Sequence, residues 1–171
     1  MDDQHFLITG RLLIKPLSTT DDNFIFELVN TAGWIRFIGN RNISSQMEAN
    51  AYIQKILENI NIFYWVVKLK DNRQSIGIIT YIKRDYLKHH DIGFAFLPGF
   101  FQNGYAYEAT NAVLNKLTRE QNLSHILATT IPENINSIKL LKKIGLVFEE
   151  EIEVENKKLH VYGALTDKLN L

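Results

Sequence analysis

Asp91-Ile92-Gly93-Phe94-Ala95-Phe96-Leu97-Pro98-Gly99-Phe100-Phe101-Gln102-Asn103-Gly104-Tyr105-Ala106-Tyr107-Glu108-Ala109 reads as a strand, a turn and the start of a helix in direct succession. Residues 91–97 are apolar and β-prone, and Pro98-Gly99 ends the run. From Tyr105 onward, Ala106, Ala109, Thr110, Val113, Leu114 and Leu117 recur at helical spacing, the stripe of a helix buried against a sheet. Gly104 and Ala106 are small residues at the helix start, so the main chain there can approach a ligand closely. Converging backbone N–H groups and the positive end of a helix dipole suit a pyrophosphate, and Gln102 and Asn103 add neutral donors. Alone, a glycine before a helix is more often an ordinary turn.

The flanking chain supplies the context. Upstream, residues 7–17 read as one strand ended by Pro16, and residues 18–22 as cap residues for a helix with Phe24, Ile25, Leu28 and Val29 on its apolar stripe. Residues 34–39 read as a short apolar turn. Ser45 with Glu48 has capping-box spacing ahead of a second helix that carries Ala49, Tyr52, Ile53, Ile56, Leu57 and Ile60. Residues 63–69 and 75–82 form an antiparallel hairpin across Asp71-Asn72-Arg73-Gln74. Downstream come a strand at 125–131, a helix opened by Pro132-Glu133-Asn134 and stopped by Gly145, and a hairpin of residues 146–154 and 158–165. The predicted class is α/β: a single domain over residues 1–171 with a mixed central sheet of about six to seven strands and helices on both faces.

Composition narrows the function. Lys plus Arg equals Asp plus Glu at 19 each, so no long-range field of one sign favours nucleic acid or an acidic membrane. Without cysteine there are no disulfides, thiolate metal sites or cysteine nucleophile, and His89-His90 is poor ligand spacing, so no metal is expected. Met1-Asp2-Asp3-Gln4-His5 is acidic where a signal peptide would be basic, which makes a soluble cytoplasmic protein the expectation.

Two motifs in order resemble the GNAT superfamily of N-acetyltransferases, and its RimJ/RimL-like branch in particular. The stretch 91–109 is similar to the family's strand, cofactor loop and helix. Glu133-Asn134-Ile135-Asn136-Ser137, followed by Leu141-Lys142-Lys143-Ile144-Gly145-Leu146, is similar to its second motif. The family loop has the form Gln/Arg-x-x-Gly-x-Gly/Ala, and Phe101 at its first position fits the RimJ/RimL-like branch. The resemblance implies acetyl-coenzyme A as cosubstrate. The backbone of Phe96 and Leu97 would pair with the pantetheine arm, Gln102, Asn103, Gly104, Tyr105 and Ala106 would face the pyrophosphate, and Asn134 would bond the pantetheine. An Asn in that position is equally a favoured helix cap.

The reaction implied is direct attack of a primary amine, on a protein N-terminus or a small molecule, on the thioester carbonyl. Where many family members place a thiolate-protonating tyrosine, this chain has Leu140-Leu141, and the branch points instead to Ser137. For the base, Asp91 begins the cofactor strand, His90 precedes it, and the acids of 149–155 lie in the last hairpin, where counting by twos puts Glu150 on the apolar phase. Tyr52, Phe63, Tyr64, Trp65, Tyr81 and Tyr86 are candidates for an acceptor pocket or for core. A non-catalytic acyl-coenzyme A-binding module and a homodimer stay open. Nucleotide binding by the same turn is weaker, since neither Gly-x-Gly-x-x-Gly nor Gly-Lys-Ser/Thr occurs.

Overall fold

The computed structural model describes residues 6–171, so the acidic start at residues 1–5 lies outside the described residues. Among the described residues, eight strands form one sheet in the order β1-β2-β3-β4-β5-β6-β8-β7. The strands are β1 (Leu7–Ile8), β2 (Leu12–Pro16), β3 (Ile62–Leu69), β4 (Ser75–Ile82), β5 (Asp91–Phe96), β6 (His125–Thr130), β7 (Val147–Val154) and β8 (Lys157–Leu165). The expected six to seven become eight because the run 7–17 is two strands. Thr9-Gly10-Arg11 turns the chain, with the Thr9 N–H donating to the Leu12 carbonyl at 3.0 Å.

Five helices cover the sheet: α1 (Asp22–Val29), α2 (Ala32–Phe37), α3 (Gln46–Glu58), α4 (Tyr105–Gln121) and α5 (Ile135–Ile144). Helix α2 occupies the stretch expected to be a turn, and Thr31 caps it by accepting the Trp34 N–H at 3.3 Å. At α3, Ser45 Oγ accepts the Glu48 N–H as its spacing predicts, but the Glu48 carboxylate returns to Ser44 rather than Ser45.

One apolar core packs α4 and α5 against one sheet face, with Ile92 and Phe96 of β5 beneath them. A second packs α1, α2 and α3 against the other face, over Val66, Ile78 and Leu97. The alternation of a strand explains why neighbours Phe96 and Leu97 enter different cores. Phe96 needs its site kept open, since a side chain on the facing Gly77 would stand 2.4 Å from the ring.

The pairing of β5 positions everything that follows. It runs antiparallel to β4 along its whole length but is parallel to β6 only at Asp91 and Leu127. Beyond that point the two strands part, and the sheet splits into a V. Among the described residues no helix is long and apolar enough to cross a membrane.

Candidate active site

A cleft of about 1570 Å³ occupies the V and takes its walls from both sheet faces. At one end stand the 101–106 loop and α5, and at the other α2, α3 and the β7–β8 turn.

The loop is a ring of free donors. Gln102 and Gly104 both have left-handed backbone, with φ of 62° and 79°, and Asn103 ties the loop by donating Nδ2–H to the Phe101 carbonyl at 3.1 Å. The first helical bond of α4 is Glu108 N–H to Gly104 O, at 3.0 Å. Every N–H from Gln102 to Tyr107 therefore precedes it, and none has an acceptor among the described residues. Alternation into left-handed backbone turns successive N–H groups toward a common point, and the α4 dipole adds to their field. Lys139 and Lys143 of α5 line the same end of the cleft.

A brace holds this loop that sequence reasoning did not find. The Arg11 guanidinium donates to the Asn103 carbonyl at 2.9 Å and to Glu108 Oε2 at 2.7 and 2.8 Å, and it lies 4.5 Å from the Tyr105 ring centroid. Thr9 Oγ–H also donates to Glu108, at 2.6 Å. Burial raises the Glu108 carboxyl, but the bonds from Thr9 and Arg11 outweigh it and hold the group below the usual glutamate range. A lowered folded pKa stabilises above the ordinary glutamate value and is lost as pH falls through the folded value. Glu108→Gln is therefore expected to cost about 1 kcal/mol at neutral pH. Urea unfolding should show wild type losing that advantage over the variant below about pH 4.5.

Of the predicted pantetheine contacts, Leu97 is corrected. Its N–H already donates to the Ile76 carbonyl of β4 at 2.9 Å, and its side chain lies in the second core. Main-chain groups alternate along a strand. Since Leu97 faces β4 and the His90 carbonyl accepts the Leu127 N–H of β6, the groups facing the gap belong to Phe94 and Phe96. Phe96 stays a candidate and Phe94 replaces Leu97.

Asn134 and Ser137 come together at the start of α5 in the cleft wall. Asn134 Oδ1 accepts the Ser137 N–H at 3.2 Å, as a cap does. The cap uses only the oxygen, leaving the Nδ2 donors available. The Ser137 hydroxyl has no hydrogen-bond partner among the described residues.

Asp91 lies in the wall at the apex, but both its oxygens are engaged. Oδ1 takes the Arg84 guanidinium at 3.3 Å, and Oδ2 accepts the Thr129 N–H at 3.1 Å and the Thr129 Oγ–H at 2.8 Å. Burial pushes its carboxyl up, against the pull of Arg84 and Thr129. These bonds stitch β5 to β6 just where they part, so the candidate base Asp91 has both carboxylate oxygens occupied as a clamp between the strands.

His90 stacks on Tyr81 at 4.3 Å, outside the cleft wall, and burial followed by Lys83 lowers its pKa. In β7 the register shifts between Phe148 and Glu150, so Glu149 is the extra residue of a bulge and the expected phase of Glu150 breaks there. Glu150 is exposed, Glu149 meets His125 and Glu151 meets Lys158 and His160. Of the 149–155 acids only Glu155, in the β7–β8 turn, lines the cleft. Tyr52, Tyr64 and Tyr86 line it too, whereas Trp65 and Tyr81 are core and Phe63 is exposed.

The sequence matches the family described as Acetyltransferase (GNAT) domain over residues 11–147. It is 32% identical over 140 residues to the "Uncharacterized N-acetyltransferase YnaD" of Bacillus subtilis, covering 82% of this chain and 81% of that one. The structure is similar to a GNAT-family acetyltransferase from Bacillus anthracis, with a TM-score of 0.80 and 26% identity over 95% of this chain and 99% of that one. The ribosomal-protein-S5-alanine acetyltransferase of Vibrio fischeri shares the fold at a TM-score of 0.78 and 20% identity, over 97% and 99% of the two chains.

Proposed function

The chain belongs to the GNAT acetyltransferase family, and we propose that it transfers an acetyl group from acetyl-coenzyme A directly to a primary amine. The observation that carries this reading is the row of acceptor-free N–H groups from Gln102 to Tyr107, at the start of α4 and beside the unpaired edge of β5. Such a row fits a pyrophosphate followed by an extended amide chain. When bound, acetyl-coenzyme A supplies an acetyl group already activated as a thioester, which removes the need for a covalent enzyme intermediate.

The chain's own residues then have three tasks. Gln102, Asn103, Gly104, Tyr105 and Ala106 hold the pyrophosphate through their N–H groups, with Lys139 and Lys143 adding charge. Phe94 and Phe96 offer main-chain groups to the pantetheine amides, and Asn134 offers its Nδ2 donors. Ser137, in the first turn of α5, holds the proton that a departing thiolate needs, favoured there by the helix dipole. Phe101 at the loop start and Ser137 in place of a tyrosine support a RimJ/RimL-like enzyme, acting in the cytoplasm on a protein N-terminus or small amine.

Thiol release from acetyl-coenzyme A, followed across a panel of amines beside calorimetric titration of coenzyme A, tests this. Binding without turnover on any amine would favour a non-catalytic module, and no binding at millimolar coenzyme A would overturn the cofactor assignment. Ser137→Ala is expected to lower kcat by roughly 100-fold, the lower end of the range for loss of an acid catalyst, while leaving the coenzyme Kd unchanged. An unchanged kcat would remove Ser137 from the chemistry.

A further inference from the structure

The end of the cleft away from the 101–106 loop is built of hydrogen-bond donors. Trp34, Arg41, Tyr52, Tyr64 and Arg84 all line it. The indole N–H of Trp34, a residue only 4% exposed, is buried and has no acceptor among the described residues, and the same is true of the Arg84 Nε–H. Both groups can only donate. Neither atom has accessible surface, so both lie behind the lining, where their unpaired N–H dipoles add to the positive character of this wall.

Two cations meet there. The Arg41 guanidinium lies 5.8 Å from the Trp34 ring centroid, and that of Arg84 lies 5.9 Å from the Tyr86 ring. The phenol of Tyr64 senses both: burial and then Tyr52 push it above its ordinary value, while Arg41 and Arg84 pull the other way. Tyr64 thus stays protonated at neutral pH, with its hydroxyl in the field of both guanidiniums.

The charge is not balanced locally. Arg84 has Asp91, but Arg41 has no carboxylate within salt-bridge distance among the described residues. Among the described residues, eight Lys and Arg line the whole cleft against three Asp and Glu, in a chain whose charges cancel overall at 19 each. Lys139 and Lys143 lie at the loop end, where coenzyme phosphates account for them. The uncompensated charge of Arg41, with Arg84 beside Tyr86, is left for something else.

Building on the acetyl-transfer reading above, we propose that the acceptor is a small amine that also carries an anionic group, a carboxylate or a phosphate, bound by Arg41 and Arg84 with the hydroxyls of Tyr52 and Tyr64. A guanidinium pair flanked by phenols offers such a group several charge-assisted hydrogen bonds at once, and a neutral amine gains none of them.

Matched pairs test this: β-alanine against β-alaninamide for the carboxylate, and O-phosphoethanolamine against ethanolamine for the phosphate. Two readouts are taken, kcat/KM by thiol release and calorimetric binding to the protein loaded with coenzyme A. The anionic member of at least one pair is expected to win by roughly tenfold or more, mainly through KM, with the margin shrinking as salt is raised. Which pair wins tells carboxylate from phosphate. Arg41→Gln should bring the ratio close to one, and Arg41→Lys should restore part of it. Equal or better use of the neutral members in both pairs and both readouts would overturn the proposal. If coenzyme A itself fails to bind, the acetyl-transfer reading fails. The anionic subsite is then judged on the free protein, where calorimetric binding of the anionic amines that is lost in Arg41→Gln upholds it and no binding overturns it.

Discussion

Gly104→Val is expected to weaken coenzyme A binding at least about 100-fold by calorimetry, while circular dichroism shows the fold intact. Gly104 sits at a φ of 79°, where a β-branched residue is strongly disfavoured, and a Cβ there would stand 3.4 Å from the Arg11 guanidinium. The loop must therefore change its path, and the N–H groups on either side lose their common direction. Hydrogen bonds to a charged group contribute about 1.5–3 kcal/mol each, so misplacing two of them accounts for a 100-fold loss. Gly104→Ala should fall between the two. Unchanged affinity in the valine variant would mean that the pyrophosphate lies elsewhere.

Asp91→Ala is expected to be the most destabilising of the cleft substitutions, costing roughly 3 kcal/mol in urea unfolding. It removes the acceptor of three hydrogen bonds and leaves Arg84 without a counter-charge at the point where β5 and β6 part. Asp91→Asn keeps the shape and some of the Thr129 bonding, so its loss should be smaller. The ranking separates a clamp from a base. A catalytic base would show near-wild-type stability in both variants with a lost limb of the pH–rate profile, and that outcome would restore Asp91 to the chemistry.

Most of the architecture was legible because local and global signals agree. The β-rich runs of β4 and β5, the stripe of α4 and the Gly145 stop of α5 all carry over into the structure. The departures have separate causes, and the first is a partner distant in sequence. The Thr9-Gly10-Arg11 turn that divides β1 from β2 is secured on Glu108, nearly a hundred residues later, although Gly10 was a visible hint. Helix α2 was hidden by its length of six residues and by Gly33 within it, and only the Thr31 cap signalled its start. The bulge at Glu149 changed the phase of every residue after it, a shift that counting by twos cannot see.

The site divides the same way. The loop donors and the Asn134 and Ser137 pair follow from neighbours in sequence, and the fold brings them into one cleft. Leu97 was assigned to the wrong edge, because which edge a main-chain group faces depends on the register with β4. The engaged state of Asp91 depends on Arg84 and Thr129, and the donor-lined end depends on α2, α3 and β3 meeting across the sheet. No spacing in the chain carries that information.

The most direct measurement is backbone amide hydrogen exchange by NMR with and without coenzyme A. Slowed exchange is expected at Gln102 to Tyr107 and at Phe94 and Phe96, with the Leu97 amide unchanged because it already bonds Ile76. Coenzyme binding that leaves the 102–107 amides exchanging freely would contradict the cofactor assignment.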